Sequence, residues 1–101
     1  MPYMYVDPAV FVEIDGVEIY HAYRHGVACD MQRWHYQVKD DDFVGFDIRD
    51  VSYHATGLDV DLNTPEGHKE ALRRAFRAAR QCAVSFVEWL ESHDMAYKGE
   101  G

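Results

Sequence analysis

The sequence predicts an α+β fold: an antiparallel four-stranded meander sheet, with a candidate short fifth strand, and one long C-terminal helix packed on one face. Three observations carry this. Apolar side chains recur at every second position through much of residues 9–62. Asp15-Gly16 interrupts two β-rich runs, as a hairpin turn does. Beyond Thr64-Pro65 the apolar spacing changes to the 3.6-residue period of a helix, through residues 65–93.

The first strand carries Val10, Val12 and Ile14 in alternation with Phe11, Glu13 and Asp15. A type I′ turn at Asp15-Gly16 sets Ile14 against Val17, Val12 against Ile19 and Val10 against His21. Phe11 then opposes Tyr20 on the other face, and Glu13 opposes Glu18 as a like-charge pair. The second strand runs over 17–24 and the third over 33–39, where Trp34, Tyr36 and Val38 alternate. Asp40-Asp41-Asp42 ends it. A fourth strand is expected over 46–51 and the candidate fifth over 58–62, with Leu58, Val60 and Leu62 pointing inward.

Thr64 is a good helix N-cap, with Pro65 at the first helical position. No Gly or Pro follows between His68 and His93. Leu72, Ala75, Phe76, Ala79, Cys82, Ala83, Phe86, Val87 and Leu90 share one apolar arc. Arg73, Arg74, Arg77, Gln81, Ser85 and Glu88 lie opposite. A helix of that length spans about 42 Å, against about 20 Å for a six-residue strand. It is therefore expected to overhang the sheet, with Val84 and Trp89 left for a partner. The tail at 98–101 is expected to be loose.

Length and composition bound the rest. A chain of 101 residues makes one domain, 1–101. Apolar residues at 48% and aromatics at 14% argue against disorder. The net charge of −8 argues against nucleic acid as a partner, because phosphate contacts need Lys and Arg. No apolar run approaches a bilayer span, so no membrane association is expected. Two cysteines, Cys29 and Cys82, are too few for a secreted disulfide scaffold and fit a cytoplasmic protein. The charge is uneven: residues 1–68 hold 13 acids and 4 bases, residues 69–101 hold 5 acids and 6 bases.

Two contact surfaces follow from this reading. One is the open sheet face, where Phe11, Tyr20, Arg24, Arg33, His35 and Arg49 gather, joined by Ala22, Gln37 and Lys39. Arg and Tyr are enriched where protein interfaces are buried. The other is the helix overhang with Val84 and Trp89. The expected partner is a second copy of the chain, giving a homodimer, or another protein. Arg73, Arg74, Arg77 and Arg80 add a basic stretch able to meet a phosphate or an acidic partner.

Chemical motifs are weak. Asp59, Asp61, Asn63 and Glu70 echo calcium-loop spacing, but Thr64 stands where that loop needs Gly. His21 and His25 are about 13 Å apart on an extended strand, too far for one ion, and with Cys29 assign no metal site. No nucleophile elbow, phosphate loop or CxxC pair occurs. No catalytic residue and no cofactor is implied, and the sequence leans away from an enzyme. The leading expectation is a small acidic interaction module that self-associates. A second is an acidic mimic of nucleic acid, using Asp40, Asp41, Asp42, Asp47, Asp50, Asp59 and Asp61 against a basic partner. A third is an enzyme or metal protein with a site assembled from distant residues.

Overall fold

The computed structural model describes residues 4–24, 34–39 and 43–98. Its elements are β1 (Met4–Ile14), β2 (Val17–Arg24), β3 (His35–Lys39), β4 (Phe43–Asp47), α1 (Ile48–His54), α2 (Pro65–Gln81), α3 (Phe86–Ser92) and β5 (Tyr97–Lys98). The strands form an antiparallel sheet in the order β1-β2-β3-β4-β5. The α+β class and the meander order agree with the sequence reading. Arg33, His25, Cys29, Asp40, Asp41, Asp42 and the tail at 99–101 lie outside the described residues, as does any Cys29–Cys82 bridge.

Asp15 and Gly16 have φ of 53° and 80°, both positive, as a type I′ turn requires. The hairpin begins in the expected register: Ile14 faces Val17, Glu13 faces Glu18 and Val12 faces Ile19. The register then shifts, so that Val10 rather than Phe11 faces Tyr20. Such a bulge turns a side chain to the opposite face of the sheet. Phe11 accordingly lies on the core face, its ring 4.5 Å from His21 and 5.0 Å from Tyr36. A second irregularity between Val6 and Val10 holds Pro8 and an Asp7 turn, whose Oδ1 accepts the Ala9 N–H at 2.9 Å.

The expected fourth strand stops early. Asp47 accepts the Arg49 N–H with its side chain and caps α1. Ile48, Val51, Ser52 and Ala55 are buried, at the i, i+3, i+4, i+7 spacing of a helix face. Residues 58–62 form no strand. They are a loop that returns to α2, and Leu58 faces solvent at 84% exposure, while Val60 and Leu62 pack against the core. The far edge of the sheet is instead closed by β5, so the chain is paired as far as Lys98.

The long helix is two helices. α2 ends at Gln81, and Ala83 takes φ 57°. The Ala83 N–H donates to Arg80 O at 3.0 Å and the Val84 N–H to Ala79 O at 3.1 Å, the two bonds of a Schellman ending. α3 restarts behind a capping box in which Ser85 and Glu88 accept from each other's backbone N–H groups. α1 and α3 end the same way, with Thr56 at φ 54° and Asp94 at φ 56°. Each left-handed position is occupied by a residue other than Gly.

α2 buries Ala71, Leu72, Ala75, Phe76 and Ala79 against Ile19, Tyr36, Val38, Val44 and Phe46 of the sheet. The break swings α3 back, so Phe86 stacks on Phe76 at 4.2 Å and meets Phe46 at 5.5 Å. Lys69 lies 5.3 Å over the Phe11 ring, and Arg80 pairs with Asp15 at the hairpin turn.

Three stability outcomes follow, each read from urea unfolding midpoints. Thr64→Ala removes the acceptor for the Gly67 N–H and costs about 1 kcal/mol. Gly67→Ala drives a Cβ into the Asp61 carbonyl and costs more, roughly 1–3 kcal/mol. Ala83→Gly relieves the left-handed strain and stabilises by up to about 1 kcal/mol.

Candidate functional site

The most constrained polar group is inside the fold. Tyr36 is fully buried, and its hydroxyl lies 2.5 Å from His68 Nδ1. His68 Nε2 lies 2.6 Å from the Leu62 carbonyl oxygen. A carbonyl only accepts, so Nε2 carries the proton and donates, and Nδ1 accepts from the Tyr36 hydroxyl. The imidazole is neutral in this arrangement. Burial pushes its pKa down, against the Leu62 carbonyl and the Asp47 carboxylate, which both favour the cation. The Trp34 ring lies 5.8 Å from the His68 ring, and the Arg49 guanidinium lies 5.1 Å over Trp34. This network ties the start of α2 to β3 and to the loop ahead of it.

The second sheet face is not the open platform the sequence suggested. His35, Gln37, Gly45 and Tyr97 share it by register, and Ala22 and Gln37 are buried. The Tyr97 ring lies against Gly45, and its hydroxyl is 3.1 Å from His35 Nδ1. Tyr20 stays on this face, with its hydroxyl donating to Glu18 at 3.1 Å. Phe11 has left it for the core. Arg49 has left it for the first turn of α1, where it binds Asp47 at 2.5 Å. Burial pushes the Asp47 carboxyl up, but the hydrogen bonds and charge of Arg49 outweigh that and hold it below the usual range. Arg24 contributes a backbone pair with Met4.

The overhang is absent from the described residues. Trp89 is 3% exposed and packs beside Phe86 at 6.2 Å, closing the core. Val84 is half-buried against the same cluster. Neither stands ready for a partner, because the turn at Ala83 folds the second half of the expected helix inward. Cys82 and Ala83, placed on the apolar arc by the sequence, are exposed.

The acidic motifs are held by arginines. Arg74 donates to Asp59 through both terminal nitrogens, at 2.6 and 3.1 Å, and to Glu70 through Nε at 3.1 Å. A guanidinium thus stands between the first and last carboxylates of the calcium-like spacing. Asp61 Oδ1 accepts the Asn63 N–H at 2.9 Å. Of the acids proposed to imitate phosphates, Asp47 and Asp59 are paired in this way.

Sequence reasoning did not anticipate the cleft between α1 and α2. It is an open cleft of about 460 Å³ lined by His54, Ala55, Thr56, Glu70, Arg74, Arg77, Ala78 and Gln81. Arg73 pairs with Glu70, Arg74 with Asp59 and Glu70, and Arg80 with Asp15. Arg77 is exposed and has no ion pair among the described residues. Tyr53 precedes the lining residue His54 and Leu58 follows Thr56 by two positions; they are exposed at 70% and 84%. The signal available in sequence was the basic stretch of α2. Its opposite wall was hidden by reading 46–51 as a strand.

Among the described residues no helix is long and apolar enough to cross a membrane. Compared with family models, curated proteins and solved structures, the chain matches none.

The His68 network sets a pH dependence. Its folded-state pKa is lowered, so the unfolded chain takes up the proton first as pH falls. The contribution is complete above about pH 6.5 and is lost as pH falls toward the folded-state pKa of His68. Urea unfolding at pH 7.5 and 5.5 should show a stability loss in the native chain that is smaller in His68→Gln. Tyr36→Phe leaves the buried Nδ1 without its donor and should cost about 1–3 kcal/mol at neutral pH.

Proposed function

We propose that this chain is a protein-interaction module whose contact surface is the cleft between α1 and α2. The observation that carries the reading is Arg77: an exposed cation without an ion-pair partner among the described residues, in a concave site, on a chain of net charge −8. A guanidinium there recognises carboxylates in a bidentate manner. Tyr53 and Leu58 supply exposed apolar area close by in the chain, and Tyr and Arg are the side chains that anchor protein contacts. The fitting partner presents carboxylates beside apolar side chains. A second copy of the chain meets that description, since residues 1–68 carry 13 acids against 4 bases, and a homodimer is the simplest assembly. The pairing of Asp47 and Asp59 with arginines favours this reading over imitation of nucleic acid.

Sedimentation velocity across the micromolar range tests it. Association should appear at low salt and weaken as salt screens the charges. Arg77→Glu and Leu58→Asp, both at exposed positions, should each weaken it at least about tenfold without changing the far-ultraviolet spectrum. A chain that remains monomeric throughout, at low salt, rules out self-association through the cleft.

A further inference from the structure

The C-terminal ends of α1 and α3 bring two histidines together. His54 stands in the last turn of α1 and His93 is the C-cap of α3. Both are exposed, and their ring centres lie 5.0 Å apart with the planes inclined by 67°. Each ring is oriented from behind. His54 Nδ1 lies 3.0 Å from the Asp50 carbonyl oxygen, and His93 Nδ1 lies 2.9 Å from the Trp89 carbonyl oxygen. A carbonyl only accepts, and the Ser92 hydroxyl, 3.1 Å from His93 Nδ1, donates its own proton to the Trp89 carbonyl at 2.9 Å, so each Nδ1 carries the ring proton and donates it. Each Nε2 is then left with a lone pair. Tyr53 against His54 at 5.3 Å and Trp89 against His93 at 4.9 Å hold the rings from the side.

An imidazole whose Nδ1–H is tied to a backbone carbonyl is set up as a metal ligand through Nε2. The separation of the ring centres is one that two ligands of a single ion can have. An ion about 2.0–2.1 Å from Nε2 lies about 3.2 Å from the ring centre, so two imidazoles at a tetrahedral angle have centres about 5.2 Å apart. The observed separation of 5.0 Å is within a few tenths of that. The last carbonyls of both helices turn partial negative charge toward such an ion, while Arg74 and Arg77 line the cleft beside His54 and set the net preference for charge against it.

We propose that His54 and His93 form an open two-histidine site for a divalent transition ion of the zinc, nickel and copper class. Imidazole nitrogen suits these ions, whereas magnesium and calcium demand oxygen ligands. No group of three or more His, Cys, Asp or Glu residues gathers there among the described residues. The remaining coordination positions therefore fall to water or to a ligand from outside the chain. An ion held by both rings staples α1 to α3, and His54 also lines the cleft between α1 and α2. The inference stands apart from the proposed contact surface, since neither the ring geometry nor the ion class depends on a partner protein.

The test uses the full chain and zinc chloride alone, with magnesium chloride as the control. Zinc should raise the melting temperature by several degrees, because it binds the folded state preferentially. In nitrogen-resolved spectra it should shift the Nε2 signals of His54 and His93. Magnesium should do neither. His54→Ala and His93→Ala each leave one ligand and should reduce zinc affinity at least about tenfold, and the double variant should abolish the response. Circular dichroism confirms that these surface variants remain folded. A zinc response that survives in the double variant, or no zinc response in the native chain, overturns the proposal.

Discussion

The structure depends on one buried polar contact: the Tyr36 hydroxyl donating to a neutral His68, which in turn donates to the Leu62 carbonyl. Tyr36 is the largest fully buried side chain and sits in the middle of the sheet. Its ring contacts Phe11, His21 and Phe46 at 5.0, 4.7 and 5.8 Å. A hydroxyl left unsatisfied at such a depth is costly. Only a helix beginning at one height above β3 places His68 within reach. The cap at Thr64 and the start at Pro65 are therefore coupled to the register of β3. The same coupling fixes the loop before α2, because Leu62 supplies the last acceptor.

Once α2 is anchored at its N-terminal end, the rest of the helical layer is settled by its three endings. Thr56, Ala83 and Asp94 each turn the chain through a left-handed position and send the next segment back toward the core. At Ala83 this converts an expected overhang into a second packed helix, and Phe76, Phe86, Phe46 and Trp89 become one continuous aromatic cluster. The apolar side chains that would otherwise have invited a partner are used inside the monomer. Among the described residues, the cleft between α1 and α2 and the junction of the α1 and α3 C-termini stay open to solvent. Both exist because the helices are short and end close to one another.

Much of the sheet was legible. Asp15-Gly16 specifies a turn with two positive φ angles, and alternation placed Ile19, Tyr36, Val38 and Phe46 on the core face, where they are buried. Thr64-Pro65 marked the start of α2 to the residue. The failures have physical causes. α1 is seven residues long, so its helical period over Ile48, Val51, Ser52 and Ala55 is too short to stand out against two-residue alternation in Phe46 and Ile48. The turn at Ala83 lacks the Gly that usually marks a helix end. The signal that was present is the capping box at Ser85 and Glu88, which announces a new helix start. The bulge beside Phe11 has no sequence marker of its own, and it reversed the face of one proposed contact residue. The cleft and the paired histidines join residues more than a dozen positions apart, so no local motif could reveal them.

The coupling of α2 to the sheet turns on the protonation state of His68 between its two partners. Long-range proton–nitrogen correlation spectra of the imidazole at pH 7 measure it directly. The expected spectrum is that of a neutral ring with the proton on Nε2 and an accepting Nδ1. A ring protonated on both nitrogens, or carrying its single proton on Nδ1, would contradict it.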